Sequence, residues 1–228
     1  MFIGARYYFL ARRRQPGASA LMGNAYWILF GCLLGAGIGN KLVFAIEWPH
    51  LFTRDNVWQQ IWAGQSMVGG WLGGLIGTEL AKLATGERRS TGDLFVAPLL
   101  LALAIGRIGC FLAGLNDGTY GVATTLPWGI DFGDGVSRHP TQLYEIGFAL
   151  TLWAGLHRMA PRLSDVPGLQ FKLATSAYLL WRLAIDGLKP VPFEYALGLS
   201  GIQWVCLAAL AVYLPLTLRP LFQHRVSA

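Results

Sequence analysis

The chain has 228 residues, of which 54% are hydrophobic and only 13% charged, and its mean hydropathy is +0.45. A soluble domain of this size carries about a quarter charged residues, so the composition excludes an ordinary water-soluble fold. The formal charge of +6 sits in short basic clusters between apolar runs, which is the pattern of membrane orientation signals and not of a nucleic-acid partner.

A helix needs about 20 apolar residues to cross a bilayer. The opening stretch, Met1 to Leu10, is too short and reads as the inner half of a helix. Arg6 interrupts it and Arg12, Arg13 and Arg14 follow, so no cleavable signal is expected. Apolar spans then run from about Ala18 to Ile46, Val57 to Leu83, Asp93 to Leu115, Thr141 to His157, Gly168 to Leu188 and Gly198 to Leu218. The expectation is an all-α, polytopic membrane protein. It has about six transmembrane helices plus the N-terminal half-helix, folded as a single integral membrane domain over residues 1–228. Cys32, Cys110 and Cys206 lie inside apolar runs without a CxxC pair, so neither a disulfide framework nor a metal site is expected, and no cofactor is implied.

Lys and Arg are enriched in cytoplasmic connections. Arg12 to Arg14, Lys82, Arg88, Arg89, Arg158, Arg162, Arg219 and Arg225 fall on one side of the alternating spans. Arg54, Arg138 and Lys189 fall on the other. The longest connection, about residues 116 to 138, therefore faces outward. Gly31, Gly35 and Gly39 recur at four-residue spacing, as do Gly69, Gly73 and Gly77. Small residues at that spacing let helices approach closely in lipid.

Three cations fall in the outer halves of their spans: Lys41, Arg107 and Arg182. Each costs about 2.5–3.5 kcal/mol at the centre of a helix on an insertion scale. Counted from the outer ends of their spans they lie about 8–12 Å deep. Lys41 could snorkel to the outer headgroups, and Arg182 could pair with Asp186 one turn along its own helix. Arg107 has no carboxylate within its span other than Asp93 at the opposite end. Convergent guanidinium groups below the headgroups suit an entering phosphate, which points to a phospholipid headgroup.

The outer loop adds a polar block, Arg138-His139-Pro140-Thr141-Gln142-Leu143-Tyr144-Glu145, with Pro140 suited to the first turn of a helix. Gln142 and Glu145 are three apart and share a helical face. A solvated cap explains Arg138 but not a buried Glu145. Tyr178, Arg182 and Asp186 form a second polar stripe at four-residue steps.

These residues resemble the prolipoprotein diacylglyceryl transferase family. The blocks Gly106-Arg107-Ile108-Gly109, Leu126-Pro127-Trp128-Gly129 and Arg138 to Glu145 match in order, as do Gly73-Gly74-Leu75-Ile76-Gly77, the Tyr178 to Arg182 spacing and Gly118. Gly39-Asn40-Lys41-Leu42 also resembles a family stretch. The resemblance implies transfer of the diacylglyceryl group of phosphatidylglycerol to the lipobox cysteine thiol of a secreted prolipoprotein, in the bacterial inner membrane and with a site open to the outer leaflet. It implies Arg107, Arg182, Tyr178 and His139 as catalytic. Gly118, Gln142, Tyr144, Glu145, Lys41 and Asp186 are implied to bind substrate.

The chain also departs from the family. Leu72 stands where the family has a histidine that is a candidate base, Cys110 and Ala113 replace two asparagines, and an acidic residue expected near Leu115 is absent, with Asp117 close by. Tyr7 or Tyr8 is a poor substitute for the tyrosine of the family's first helix. His139 and Glu145 are the remaining candidates for the base. The departures leave open the same fold and lipid donor with another acceptor, or a non-catalytic phospholipid-binding or transport protein.

Overall fold

The computed structural model describes residues 24–53, 55–163 and 165–226, with side chains to residue 219. The expected half-helix, with Tyr7, Tyr8 and the Arg12 to Arg14 cluster, lies outside the described residues, as do Arg54 and the Arg225 side chain. Seven α-helices occur among the described residues: α1 (Ala25–Glu47), α2 (Val57–Ala63), α3 (Met67–Thr85), α4 (Val96–Ala113), α5 (Thr141–Leu163), α6 (Leu169–Ile185) and α7 (Gly201–Val226). Among the described residues, three segments are long and apolar enough to cross a membrane by length and composition: Ala25–Glu47, Gly92–Asp117 and Gly201–Arg219. The architecture is that of a helical membrane protein. On α1 only Val43 is buried, and Trp27, Phe30, Leu33, Ile38 and Leu42 are exposed, a surface suited to lipid rather than to water.

The single span expected from Val57 to Leu83 is two helices. Gly64 takes an extended conformation that ends α2. Ser66 then starts α3 as a true N-cap, its side-chain oxygen accepting from Gly69 N at 3.3 Å. The chain groups into two compact units, one built from the described parts of 90–191 and 209–226, the other from those of 24–89 and 192–208.

In the second unit α1 packs on α3 through the two glycine rows. A Cβ on Gly31 would sit 2.6 Å from the Gly77 carbonyl oxygen, and one on Gly35 or Gly39 would collide with Gly73 or Gly69. Backbones this close leave no room for any side chain, which is the use of small residues expected from their spacing. Lys41, on α1, donates to Trp62 O at 2.7 Å and Gly64 O at 2.6 Å. Its ammonium satisfies carbonyls at the C-terminal end of α2, where a positive charge is favoured.

In the first unit α5 packs against both α4 and α6. Leu100, Leu103, Ala104 and Arg107 bury one stripe of α4; Thr141, Gln142, Glu145, Ala149 and Leu156 bury one stripe of α5. On α6 the buried stripe includes Thr175, Tyr178, Leu179 and Arg182. Asp93, in the turn that feeds α4, accepts from Gly168 N at 2.6 Å and Phe171 N at 2.9 Å, and so caps the start of α6. The outward loop is more ordered than its composition suggests. β1 (Ile130–Asp131) pairs antiparallel with β2 (Ser137–Arg138), and the backbone of 121–124 pairs with 137–139.

Candidate active site

The polar groups on the three stripes of the first unit meet at Glu145, whose side chain is wholly buried. Arg107 reaches it from α4, with Nε 2.8 Å from Oε2 and Nη2 donating to Oε1 at 3.2 Å. Arg182 reaches it from α6, Nη1 donating to Oε1 at 3.3 Å, while its Nη2 donates to Asp186 Oδ1 at 3.0 Å. Lys189 Nζ completes the group at 3.5 Å from Oε2. Arg182 thus pairs with Asp186 one turn along, as its spacing allows, and also with Glu145 across helices. Tyr178 is fully buried one turn before Arg182.

Three cations face two carboxylates, which leaves one net positive charge in a site shut off from water. Buried charges are tolerated only when paired and hydrogen-bonded, and Glu145 supplies the pairing. Burial, together with the Arg182 guanidinium, pushes the Lys189 ammonium down to about 8. Lys189 was not among the site residues inferred from the sequence, where it counted only as an orientation charge. The one hint in the sequence is its place three residues beyond Asp186, and spacing alone does not show that a residue past the end of α6 returns to the Tyr178–Arg182–Asp186 stripe.

His139 and Tyr144 form a separate group at the mouth of α5. Trp128 Nε1 donates to the Tyr144 hydroxyl at 2.8 Å, and His139 Nδ1 lies 3.2 Å from the same oxygen. The His139 backbone is held on both sides, its N–H donating to Val122 O at 3.1 Å and its carbonyl accepting from Gly121 N at 2.9 Å. Gly121 is required there, because a Cβ would come within 2.7 Å of the His139 carbonyl oxygen. Gly118 takes a left-handed conformation, φ +66, at the end of a short 3-10 turn. The next residue, Thr119, accepts at its carbonyl from Thr141 Oγ1 at 2.7 Å, which ties that loop to the first turn of α5. Arg138 stays in the loop, paired with Asp134 at 2.6 Å and lying over the Tyr120 ring.

The structure therefore brings Arg107, Arg182, Glu145 and Asp186 into one cluster and His139 with Tyr144 into another. Gln142 lies one turn before Glu145 on the same face of α5, and Lys41 belongs to the second unit. Of the residues that depart from the family pattern, Cys110 touches the cluster: Arg107 Nη1 lies 3.7 Å from its Sγ.

The fold and this cluster define a helical membrane protein with a buried cation-rich site built on three helices. The profile of the prolipoprotein diacylglyceryl transferase family matches residues 2–219. The chain is 34% identical over 217 residues to a phosphatidylglycerol–prolipoprotein diacylglyceryl transferase of Nitratidesulfovibrio vulgaris (strain Miyazaki F), covering 87% of this chain and 76% of that one. It is 30% identical over 243 residues to the enzyme of the same name from Bordetella parapertussis, covering 95% of this chain and 87% of its relative. The chain belongs to the prolipoprotein diacylglyceryl transferase family.

Proposed function

We propose that the chain transfers the diacylglyceryl group of phosphatidylglycerol to the cysteine thiol of a prolipoprotein lipobox, from the outer leaflet of the bacterial inner membrane. The observation that carries this reading is the convergence of Arg107 and Arg182, from two different helices, on one buried carboxylate with a net positive charge left over. The names of the relatives supply the donor and the acceptor class. The lipobox and the leaflet follow from the resemblance and the distribution of basic residues.

In this reaction the thiol sulfur attacks the terminal glyceryl carbon, a C–S bond forms, and the C–O bond to phosphate breaks. Glycerol phosphate leaves with the bonding pair, and the thiol proton passes to a base. Guanidinium groups aimed at the departing phosphate lower the barrier most where water is excluded, which is the task of Arg107 and Arg182. Glu145 is a poor choice for the base, because cations engage both of its oxygens. It acts as the counter-ion that sets the two guanidiniums. His139 is the better candidate, since Tyr144 and Trp128 orient its ring and Leu72 leaves the family's histidine position without a titratable group. Tyr178, Tyr144, Gly118 and Asp186 shape the headgroup seat around these groups. Lys41, clasping the end of α2, steadies an outer segment that carries the exposed Trp58 and Trp62 at the depth that aromatic residues favour.

Depleting a bacterial host of its own transferase and expressing this chain tests the proposal. Growth and lipoprotein labelling should return, and Arg107→Ala or Arg182→Ala should abolish both. Absence of rescue at verified membrane expression would overturn it. Leu72 and Cys110, standing in place of the family's histidine and asparagine, favour one second reading: the same donor with a different acceptor. Mass spectrometry of the lipidated products separates the two.

A further inference from the structure

Gln142 is a buried polar side chain that the ion pairs of the cluster leave unexplained. It is completely buried, yet neither its amide oxygen nor its amide nitrogen has a hydrogen-bond partner. Buried side-chain amides are nearly always paired, and an orphan calls for a specific cause. A core position with no other duty sheds the cost by carrying leucine or methionine. Gln142 does not serve as a helix cap either, because its neighbour Thr141 makes the tie to the Thr119 carbonyl.

Its position supplies the cause. Gln142 lies three residues before Glu145 on the buried face of α5, about 4.5 Å along the helix axis from the residue that gathers Arg107, Arg182 and Lys189. That offset is comparable to the reach from a phosphate to the hydroxyls of a glycerol esterified to it. An amide offers an acceptor and two donors together, and a hydroxyl is a donor and an acceptor at once, so the amide and a diol satisfy each other. An ammonium headgroup fits badly on two counts. It brings donors only, and it enters a site that already holds excess positive charge.

We infer that Gln142 selects the lipid donor by its headgroup, its side-chain amide hydrogen-bonding the free glycerol hydroxyls of the phosphatidylglycerol whose phosphate sits among Arg107, Arg182 and Lys189. The inference rests on the reading of that cluster as the phosphate seat. It adds a division of labour: the cations hold what every anionic phospholipid has, and Gln142 reads what distinguishes this one.

The test compares phosphatidylglycerol with phosphatidic acid, which carries the phosphate without the headgroup glycerol. Both are bound to the purified full-length protein in nanodiscs, with phosphatidylglycerol turnover followed on a thiol peptide. The parent protein should prefer phosphatidylglycerol. Gln142→Met should lose tenfold or more in phosphatidylglycerol affinity while its phosphatidic acid affinity stays within twofold, and its melting temperature should hold or rise because an orphan amide has gone. Equal losses for the two lipids would mean the amide serves the phosphate and would overturn the inference. So would an unchanged lipid ratio, whether it came with a raised KM for the thiol peptide, with a lowered melting temperature or alone. Should Gln142→Met not fold, Gln142→Asn carries the test, since it withdraws the amide by one methylene and should also lower the ratio; an unchanged ratio overturns the inference. Arg107→Ala separates the underlying reading: if both lipids bind it as they bind the parent, the phosphate seat itself is wrong.

Discussion

Arg107 and Glu145 stand 38 residues apart on different helices, and Nε of one lies 2.8 Å from Oε2 of the other with neither side chain open to water. Each explains the other. The arginine is affordable in an apolar helix because the carboxylate awaits it, and the buried carboxylate is paired by Arg182 and Lys189 as well. Removing Glu145 leaves three cations facing each other across a dry site, with Asp186 alone to offset them. Glu145→Ala should destabilise the protein by about 3–5 kcal/mol, the usual penalty for breaking a buried pair from one side. Glu145→Gln, which keeps the acceptor oxygen, should lose less. Thermal unfolding in a fixed detergent orders the two variants, and equal stability of Glu145→Ala and the parent would remove the counter-ion role.

The guanidinium shape should matter as much as its charge. Arg107 holds Nε 2.8 Å from Glu145 Oε2, donates from Nη2 to Oε1 and directs Nη1 towards Cys110, a planar arrangement that a lysine cannot reproduce. Arg107→Lys should therefore keep the charge yet lower turnover by about 10²–10³, the range seen when one stabilising donor is lost from a site of developing negative charge. Single-turnover rates with labelled phosphatidylglycerol measure it, and near-parental turnover would show that charge alone suffices.

The lowered ammonium of Lys189 predicts a pH dependence of definite sign. In the folded protein it is charged below about 8 and neutral above, whereas in the unfolded chain it stays charged to about 10.4. Between those values the unfolded state holds the extra proton, so stability rises with pH through that window. Affinity for anionic lipid should move the other way, falling as pH rises through about 8. Lys189→Met should flatten both trends relative to the parent. Paired melting and lipid-binding titrations from pH 7 to 10 check this, and parallel curves for parent and variant would contradict it.

Asp93 is a cap that hydrophobic periodicity could not reveal, because its partners Gly168 and Phe171 lie more than seventy residues away. Asp93→Ala should cost about 1–2 kcal/mol in thermal stability, in the upper part of the range for a lost N-cap. Asp93→Asn, which retains one acceptor, should cost less. An unaltered melting temperature for the alanine variant would show that the contact does not hold α6.

The helices were legible because their apolar runs are long, and the cluster was legible because Arg107, Arg182 and Glu145 are charged residues in segments with no reason to carry any. Three things were not. The break between α2 and α3 hid inside one apolar run, since Gly64 and Ser66 are each compatible with a membrane helix and only the capping geometry shows where the chain stops and restarts. Lys189 passed for an orientation signal, because sequence spacing does not show that a residue beyond the end of a helix folds back on its stripe. The pairing of residues 121–124 with 137–139 involves segments too short to display alternation, so the order of the outward loop emerged only in three dimensions.

The Asp93 cap also has a mechanical side. It belongs to the turn that feeds α4 and grips the start of α6, and Arg107 and Arg182 each lie 14 residues beyond the gripped point, counting from Asp93 and from Gly168. Each helix is then a lever about 21 Å long, and both turn on one carboxylate. A rotation of about 3° at that pivot would shift a guanidinium by about 1 Å at the far end, roughly the difference between gripping and missing the phosphate in the proposed reaction. The distance between the two guanidiniums is therefore fixed at both ends, by Asp93 at the base of the helices and by Glu145 at the tips.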